Sequence, residues 1–298
     1  MPSTRDIRRR IRSVRNTAQI TKAMQMVAAA KMRKAQHAAL AGRPYAALMN
    51  EVLAQAATRT VAFRHPLMET RPVRRRAVIL VGTDRGLCGA LNSNLFREAV
   101  KFDSGSTGFI TAGRKAAQFI ARTRRSLAAE FTYKDTPQFS EARAISKFAQ
   151  DLFLKYEVDA VEVLYTNYVS TLVQMPKVVP LLPIGKIEAV KAGHGNAPAQ
   201  ELPAGLPTHI FDFEPDERTV LGALLPHSLN FRIHQILLEA RASEHSARMV
   251  AMRNASESAE ELSDILQLDY NKARQLSITS EILDIIGGVE ALAQSEEA

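Results

Sequence analysis

Two stretches of this chain keep a helical rhythm of apolar positions over unusual lengths, one at each end. Between residues 3 and 60 Gly42 is the sole glycine and Pro44 the sole proline. The spacing therefore predicts one very long helix, weakened near Gly42-Arg43-Pro44. Ile7, Ile11, Val14, Ala18, Thr21, Gln25, Ala28, Met32, Ala35 and Ala39 step alternately by four and three, the spacing of a coiled-coil seam. Thr21 and Gln25 interrupt it, while Ile20, Met24 and Val27 lie beside it and widen the apolar face. Such a helix has to bury one stripe against a partner helix and further surface elsewhere.

The second long helix is predicted from Pro226 to about residue 286, with Gly287-Gly288 as its stop. Ile233, Leu237, Ala240, Ala247, Val250, Leu262, Leu266, Tyr270, Ala273, Ile278, Ile282 and Ile285 supply its apolar positions. At about 1.5 Å per residue each helix would extend on the order of 80 to 90 Å. The N-terminal helix is strongly basic and the C-terminal one richer in Glu and Asp, which favours pairing. Because the chain must leave one helix and return along the other, the pair is expected to be antiparallel.

Between them the period changes. Residues 76–82 form a short apolar run ending in glycine, followed by a helical pattern over 91–102, a strand-like run at 108–113 and a helix over 114–123. Residues 140–156 repeat the helix signal, 159–165 the strand signal, and 172–182 suggest a further strand. Residues 209–213 suggest a last strand, before 214–217 open a short helix leading into the long one. The expected fold class is α/β: a small Rossmann-like central domain with a mostly parallel sheet, plus a long antiparallel coiled coil of the N- and C-terminal helices. The expected division is 1–60 for the first helix, 75–214 for the α/β domain with a flexible loop at 185–207, and 215–290 for the second helix.

Composition narrows the chemistry. Apolar residues make up 46% of the 298, yet no run approaches the roughly 20 uninterrupted apolar residues a membrane span needs. Cys88 is the only cysteine, so no intrachain disulfide or cysteine-cluster metal site can form. The seven histidines include no pair four residues apart. The net charge of +8 points to an acidic protein surface, a nucleic acid or an anionic membrane without choosing among them. Arg5, Arg8, Arg9, Arg12, Arg15, Lys22, Lys31, Arg33 and Lys34 make a basic face that could track phosphates, but aromatic residues for stacking are absent from this helix before Tyr45.

The most enzyme-like feature is the turn from Gly82 to Asn92, a glycine-bearing strand-to-helix connection of the kind where phosphates bind. Gly82, Gly86 and Gly89 match neither the dinucleotide fingerprint nor a Walker A loop. Close strand–helix packing is the better expectation for it, and neither catalysis nor a cofactor is expected.

Several runs resemble the gamma-subunit family of F-type ATP synthases. Ile20-Thr21-Lys22-Ala23-Met24-Gln25-Met26-Val27-Ala28-Ala29-Ala30-Lys31-Met32-Arg33-Lys34-Ala35-Gln36 is similar to its N-terminal helix motif. Asp84-Arg85-Gly86-Leu87-Cys88-Gly89-Ala90-Leu91-Asn92 resembles its central turn, and residues 242–255 with Tyr270-Asn271-Lys272-Ala273-Arg274-Gln275, Ile278-Thr279 and Glu281-Ile282 its C-terminal helix. The resemblance implies a non-catalytic rotor shaft seated in a ring of alpha and beta subunits. It also implies that the α/β domain lies near the epsilon subunit and the membrane c-ring, with delta elsewhere in the complex. The implied location is peripheral, on the cytoplasmic face of a bacterial plasma (inner) membrane. By motif position the implied contacts with the alpha/beta ring are Lys22, Met24, Arg248, Arg274, Gln275, Thr279 and Glu281. Two departures stand out: residues 291–298 run past the usual family end, and Asn230-Phe231-Arg232 replaces a more commonly aliphatic stretch. The paired regulatory cysteines of the chloroplast type are missing.

Overall fold

The structure, a computed structural model, describes residues 3–59, 65–184, 213–214 and 216–296. The chain divides into two compact units: Met1–Met26 with Ala251–Ala298, here unit 1, and Val27–Val250, here unit 2. Helix α1 spans Thr4–Ala41, α2 Arg43–Arg59 and α6 Glu217–Glu296. Between α2 and α6 come a 3-10 turn at Pro66–Met68 and then β1 Arg76–Val81, α3 Leu91–Val100, β2 Thr107–Ala112, α4 Arg114–Arg122, β3 Leu127–Phe131, α5 Phe139–Leu154, β4 Ala160–Tyr168 and β5 Gln174–Leu182.

In unit 2 the five strands lie in the order β3-β2-β1-β4-β5. The first four are parallel, and β5 runs antiparallel beside β4. Alternation along each strand sends side chains to two separate cores. Val78, Leu80, Phe109 and Leu164 face α3 and α4 through Leu95, Ala99, Ala116 and Ile120. Ala77, Ile79, Val81, Ile110, Val161, Val163 and Tyr165 face the other way, against Ala142, Ile145, Ala149 and Phe153 of α5 and Leu229, Ile233, Ile236, Leu237 and Ala240 of α6. The sheet is thus covered on both faces, as a mostly parallel sheet has to be.

Strand β3 was not expected. Its Leu127-Ala128-Ala129-Glu130-Phe131 is alanine-rich and weak in β propensity, and its pairing to β2 at the sheet's edge holds it extended. The opposite edge strand, β5, carries Pro176 and Pro180, which an edge tolerates.

The single long N-terminal helix is divided at Gly42 into α1 and α2. A Cβ on Gly42 would meet the end of the Gln235 side chain and come within 3.3 Å of Phe231, so glycine lets this joint approach α6 without displacing Gln235. Phe231, one of the departures noted above, fills that approach and packs on Tyr45 with ring centroids 5.0 Å apart. The C-terminal helix takes in the short helix expected to open at 214–217 and runs past its expected stop. It starts at Glu217, where Asp216 Oδ1 accepts from Thr219 N at 2.8 Å, and it continues through Pro226. The fully buried Leu221, Leu225 and Leu229 on either side hold it there against the lost hydrogen bond. It also continues through Gly287-Gly288 to Glu296, since glycine weakens a helix by about 1 kcal/mol without sterically ending it. The loop expected at 185–207 and all of the expected strand 209–213 except Phe213 lie outside the described residues.

In unit 1 the expected seam forms. Ser3 Oγ caps α1 by accepting from Asp6 N at 3.2 Å. Ile7, Ile11 and Ala18 are buried. Arg8 donates to Tyr270 Oη at 2.8 Å, Arg15 to Ser263 Oγ at 3.2 Å, and the Thr21 and Ser256 hydroxyls lie 2.6 Å apart. The N-terminal number rises as the C-terminal one falls, in step to within one residue, so residues 4–26 and 251–274 run antiparallel.

Candidate functional site

In a doubly wound sheet the crevice for a ligand opens beyond the carboxyl ends of neighbouring strands whose crossovers lie on opposite faces. Here that point lies between β1, whose α3 packs on one face, and β4, reached from α5 on the other. The turn Gly82 to Asn92 leaves β1 at that crevice. Thr83 Oγ1 donates to Arg85 O at 2.8 Å and Asn92 Nδ2 to Thr83 Oγ1 at 2.8 Å, which fixes the turn. Gly82 and Gly113 are needed for close approach. A Cβ on Gly82 would stand 2.9 Å from Ala116 Cβ, and one on Gly113, at φ +104°, 2.5 Å from Gly82 O. The expectation of close packing at this turn is met.

The crevice is filled by α6. Along residues 217–240 that helix contacts unit 2 through an apolar stripe, but from 241 to 247 every residue is buried, including Arg241, Ser243, Glu244, His245 and Ser246. The Arg241 side chain, 1% exposed, donates to Tyr133 O at 2.6 Å, Lys134 O at 3.2 Å, Asp84 Oδ2 at 2.8 Å and Glu244 Oε2 at 2.6 Å. Its guanidinium also lies 3.9 Å from the centre of the Tyr133 ring. Asp84 spends its other oxygen on Arg114 N, at the start of α4. Glu244 Oε1 accepts from Arg248 at 2.8 Å, and Arg248 Nη2 donates to Gly86 O at 3.1 Å. Asp84, Arg241, Glu244 and Arg248 form an alternating chain of two acids and two bases with no net charge.

Burial works against the Arg241 charge, but the Tyr133 phenol, Glu244 and Asp84 outweigh it and raise its pKa. Burial pushes the Tyr133 phenol far up, so it stays a donor, to Gly82 O at 3.0 Å. Two serines complete the enclosure: Ser243 Oγ donates to Thr166 O at 2.9 Å and Ser246 Oγ to Thr171 O at 2.7 Å. On α1, Lys31 reaches Asp135 at 2.5 Å and holds that carboxyl below its usual range through the hydrogen bond. Burial raises the Cys88 thiol, consistent with an inert cysteine.

Unit 1 presents the opposite surface. The antiparallel register brings α1 to its start opposite residue 274, and α6 goes on. Leu276, Ile278, Ile282, Leu283, Ile285 and Ile286 are all exposed there, Ile285 by 67%. Ile20 on α1 and Leu262, Ile265 and Leu268 on α6 are bare as well. Ile20 is one of the side chains expected to widen the seam, and nothing among the described residues covers any of these.

Of the residues assigned by motif, Lys22, Arg274, Gln275, Thr279 and Glu281 are exposed in unit 1, and Met24 is half-buried there. Thr279 Oγ1 donates back to Gln275 O, so these two share one helix face. Arg248 lies in unit 2, its guanidinium bound to Glu244 and the carbonyl of Gly86. Sequence reasoning missed Arg241, which stands one residue before the motif run 242–255. The signal for it was a lone arginine at the end of an apolar stripe.

Comparison with known proteins gives a consistent picture. A family profile described as ATP synthase matches residues 3–292. The ATP synthase gamma chain of Opitutus terrae is 48% identical over 295 residues, covering 98% of this chain and 100% of that one. That of Methylacidiphilum infernorum is 45% identical over 290 residues, covering 96% and 97%. Among solved structures, a chain of the Euglena gracilis mitochondrial ATP synthase (OSCP/F1/c-ring, rotational state 3) matches with a TM-score of 0.68 at 20% identity, covering 99% of this chain and 96% of that one. A chain of the Tetrahymena thermophila mitochondrial ATP synthase central stalk and c-ring matches with a TM-score of 0.60 at 22% identity, covering 80% and 99%. At these identities the structural matches speak for the fold.

Proposed function

The chain belongs to the ATP synthase gamma chain family, and from that membership we propose that it is the central rotor shaft of an F-type ATP synthase. It couples proton flow through the membrane c-ring to the conformational cycle of the alpha/beta ring. The observation that carries this reading is the bare apolar end of α6 in unit 1. Six large aliphatic side chains within eleven residues are about half exposed or more, and removing them from water would contribute on the order of 1 kcal/mol each. Such a surface fits inside a sleeve of other subunits. An asymmetric helix turning in that sleeve makes different contacts with each catalytic subunit and so biases their conformations and nucleotide affinities.

In this reading Lys22, Met24, Arg248, Arg274, Gln275, Thr279 and Glu281 make the contacts with the ring. Arg274 is suited to carboxylates and Met24 to a shifting apolar surface. Residues 1–60 and 215–290 serve as the shaft and 75–214 as its foot, facing epsilon and the c-ring, with delta elsewhere in the complex. The chain performs no catalysis of its own, a role supported by the filling of its ligand crevice by Arg241. No described helix is long and apolar enough to cross a membrane. The protein is held peripherally, through the complex, at the cytoplasmic face of a bacterial inner membrane. Reconstitution with alpha and beta subunits tests the reading. ATP hydrolysis by the ring should depend on this chain, and a ring equally active without it would end the proposal.

A further inference from the structure

We propose that residues 241–248 of α6 form a keyed torsional clamp, with Arg241 as its key, through which the foot grips the shaft helix against rotation about its own axis. This rests on the rotor reading above. The apolar stripe of α6 packs on α2 through Leu221 and Leu225 and on the sheet from Leu229 to Ala240, but apolar contact is non-directional and resists twisting weakly. The hydrogen bonds beyond it are directional. At about 100° per residue, Arg241 leaves the helix on roughly the opposite side from Ser243 and Ser246, which lie about 60° apart. Each ends on a different part of unit 2. Arg241 binds the carbonyls of Tyr133 and Lys134 after β3 and the Asp84 carboxylate after β1. Ser243 binds Thr166 O in β4, and Ser246 binds Thr171 O in the β4–β5 hairpin. A turn of the helix by one residue would break all of these bonds at once and leave buried donors and acceptors unpaired.

The enclosure also explains why a polar, charged segment is buried where hydrophobic packing would hold the helix equally well. Buried ion pairs add little net stability, and here their directional hydrogen bonds would serve to select one geometry. For a helix that transmits torque, a single angular setting is the property required. Arg241 is accordingly a positioning residue, acting on the ring through α6.

The test uses the whole ATP synthase reassembled with variant chains. Torsional stiffness between a label on the foot and the immobilised alpha/beta ring is read from angular fluctuations. ATP-driven proton pumping is compared with ATP hydrolysis in the same preparation. Arg241→Lys keeps the charge but loses the planar fork, and the pair Ser243→Ala with Ser246→Ala removes two bonds from small side chains that threaten folding least. Both should soften the shaft at least two-fold and lower pumping per ATP. Ile233→Val, a destabilised control within the apolar stripe, should leave the stiffness unchanged. Folded variants with wild-type stiffness and pumping ratio would overturn the clamp while leaving the shaft standing. A wild-type chain on which ring hydrolysis does not depend would overturn both.

Discussion

Residues 241–248 and 276–286 belong to the same helix and are built on opposite plans. In the first stretch, within unit 2, charged and hydroxyl side chains are buried, and Glu244 is only 3% exposed. In the second, within unit 1, six large aliphatic side chains face outward. Local helix propensity treats the two alike, so the difference lies in what surrounds them. Unit 2 supplies a partner for nearly every polar group of its segment from its own loops. The described residues of unit 1 offer its apolar segment no cover. Polar burial marks a joint completed within the chain, and apolar exposure marks one that another protein completes.

The sharpest way to break this comparison is to remove a key from each side. Arg241→Ala strips the half-buried Asp84 of its cation, leaves the buried Glu244 with Arg248 alone, and should cost about 3–5 kcal/mol in urea unfolding of the isolated chain. The double change Ile282→Asp with Ile285→Asp should stay within about 0.5 kcal/mol in the same measurement. It should nevertheless abolish the dependence of ring ATP hydrolysis on the chain. If the two variants behaved alike in isolation, the contrast would be wrong.

Glycines give a second, smaller contrast. Gly113→Ala meets both the positive φ and the Gly82 carbonyl, and should lower stability by about 1–3 kcal/mol in thermal melts. Gly287→Ala has open space around it in a helix and should raise helicity, gaining about 1 kcal/mol by circular dichroism.

Acid should act on unit 2 alone. All seven histidines lie between residues 27 and 250. Burial lowers the pKa of His65, His234 and His245 below 6.5, and a ring nitrogen of His234 and of His245 is buried without a hydrogen-bond partner. The unfolded chain therefore takes up protons first as pH falls. The stability these neutral rings allow is fully present above pH 6.5 and is lost as pH drops from there through their folded values. Melting temperature followed across that range should fall on the acid side, and His234→Gln with His245→Gln should flatten the slope.

Much of this was legible without coordinates. The four-and-three stepping from Ile7 to Ala39 located a seam that the structure buries at Ile7, Ile11, Ala18, Ala28 and Ala35, and Ile20 and Val27 were already marked as surplus apolar surface. Helix periodicity is a local property, and the sequence determined it, along with the order of strands and helices at β1, α3, β2, α4, α5, β4 and β5 and the family motifs. Tertiary structure decided the rest. It carried α6 across Pro226, drew the alanine-rich β3 into the sheet, and set Arg241 opposite Asp84, 157 positions away in the chain. A buried charge is chosen by what converges on it from distant loops, and that convergence leaves no period in the sequence to read.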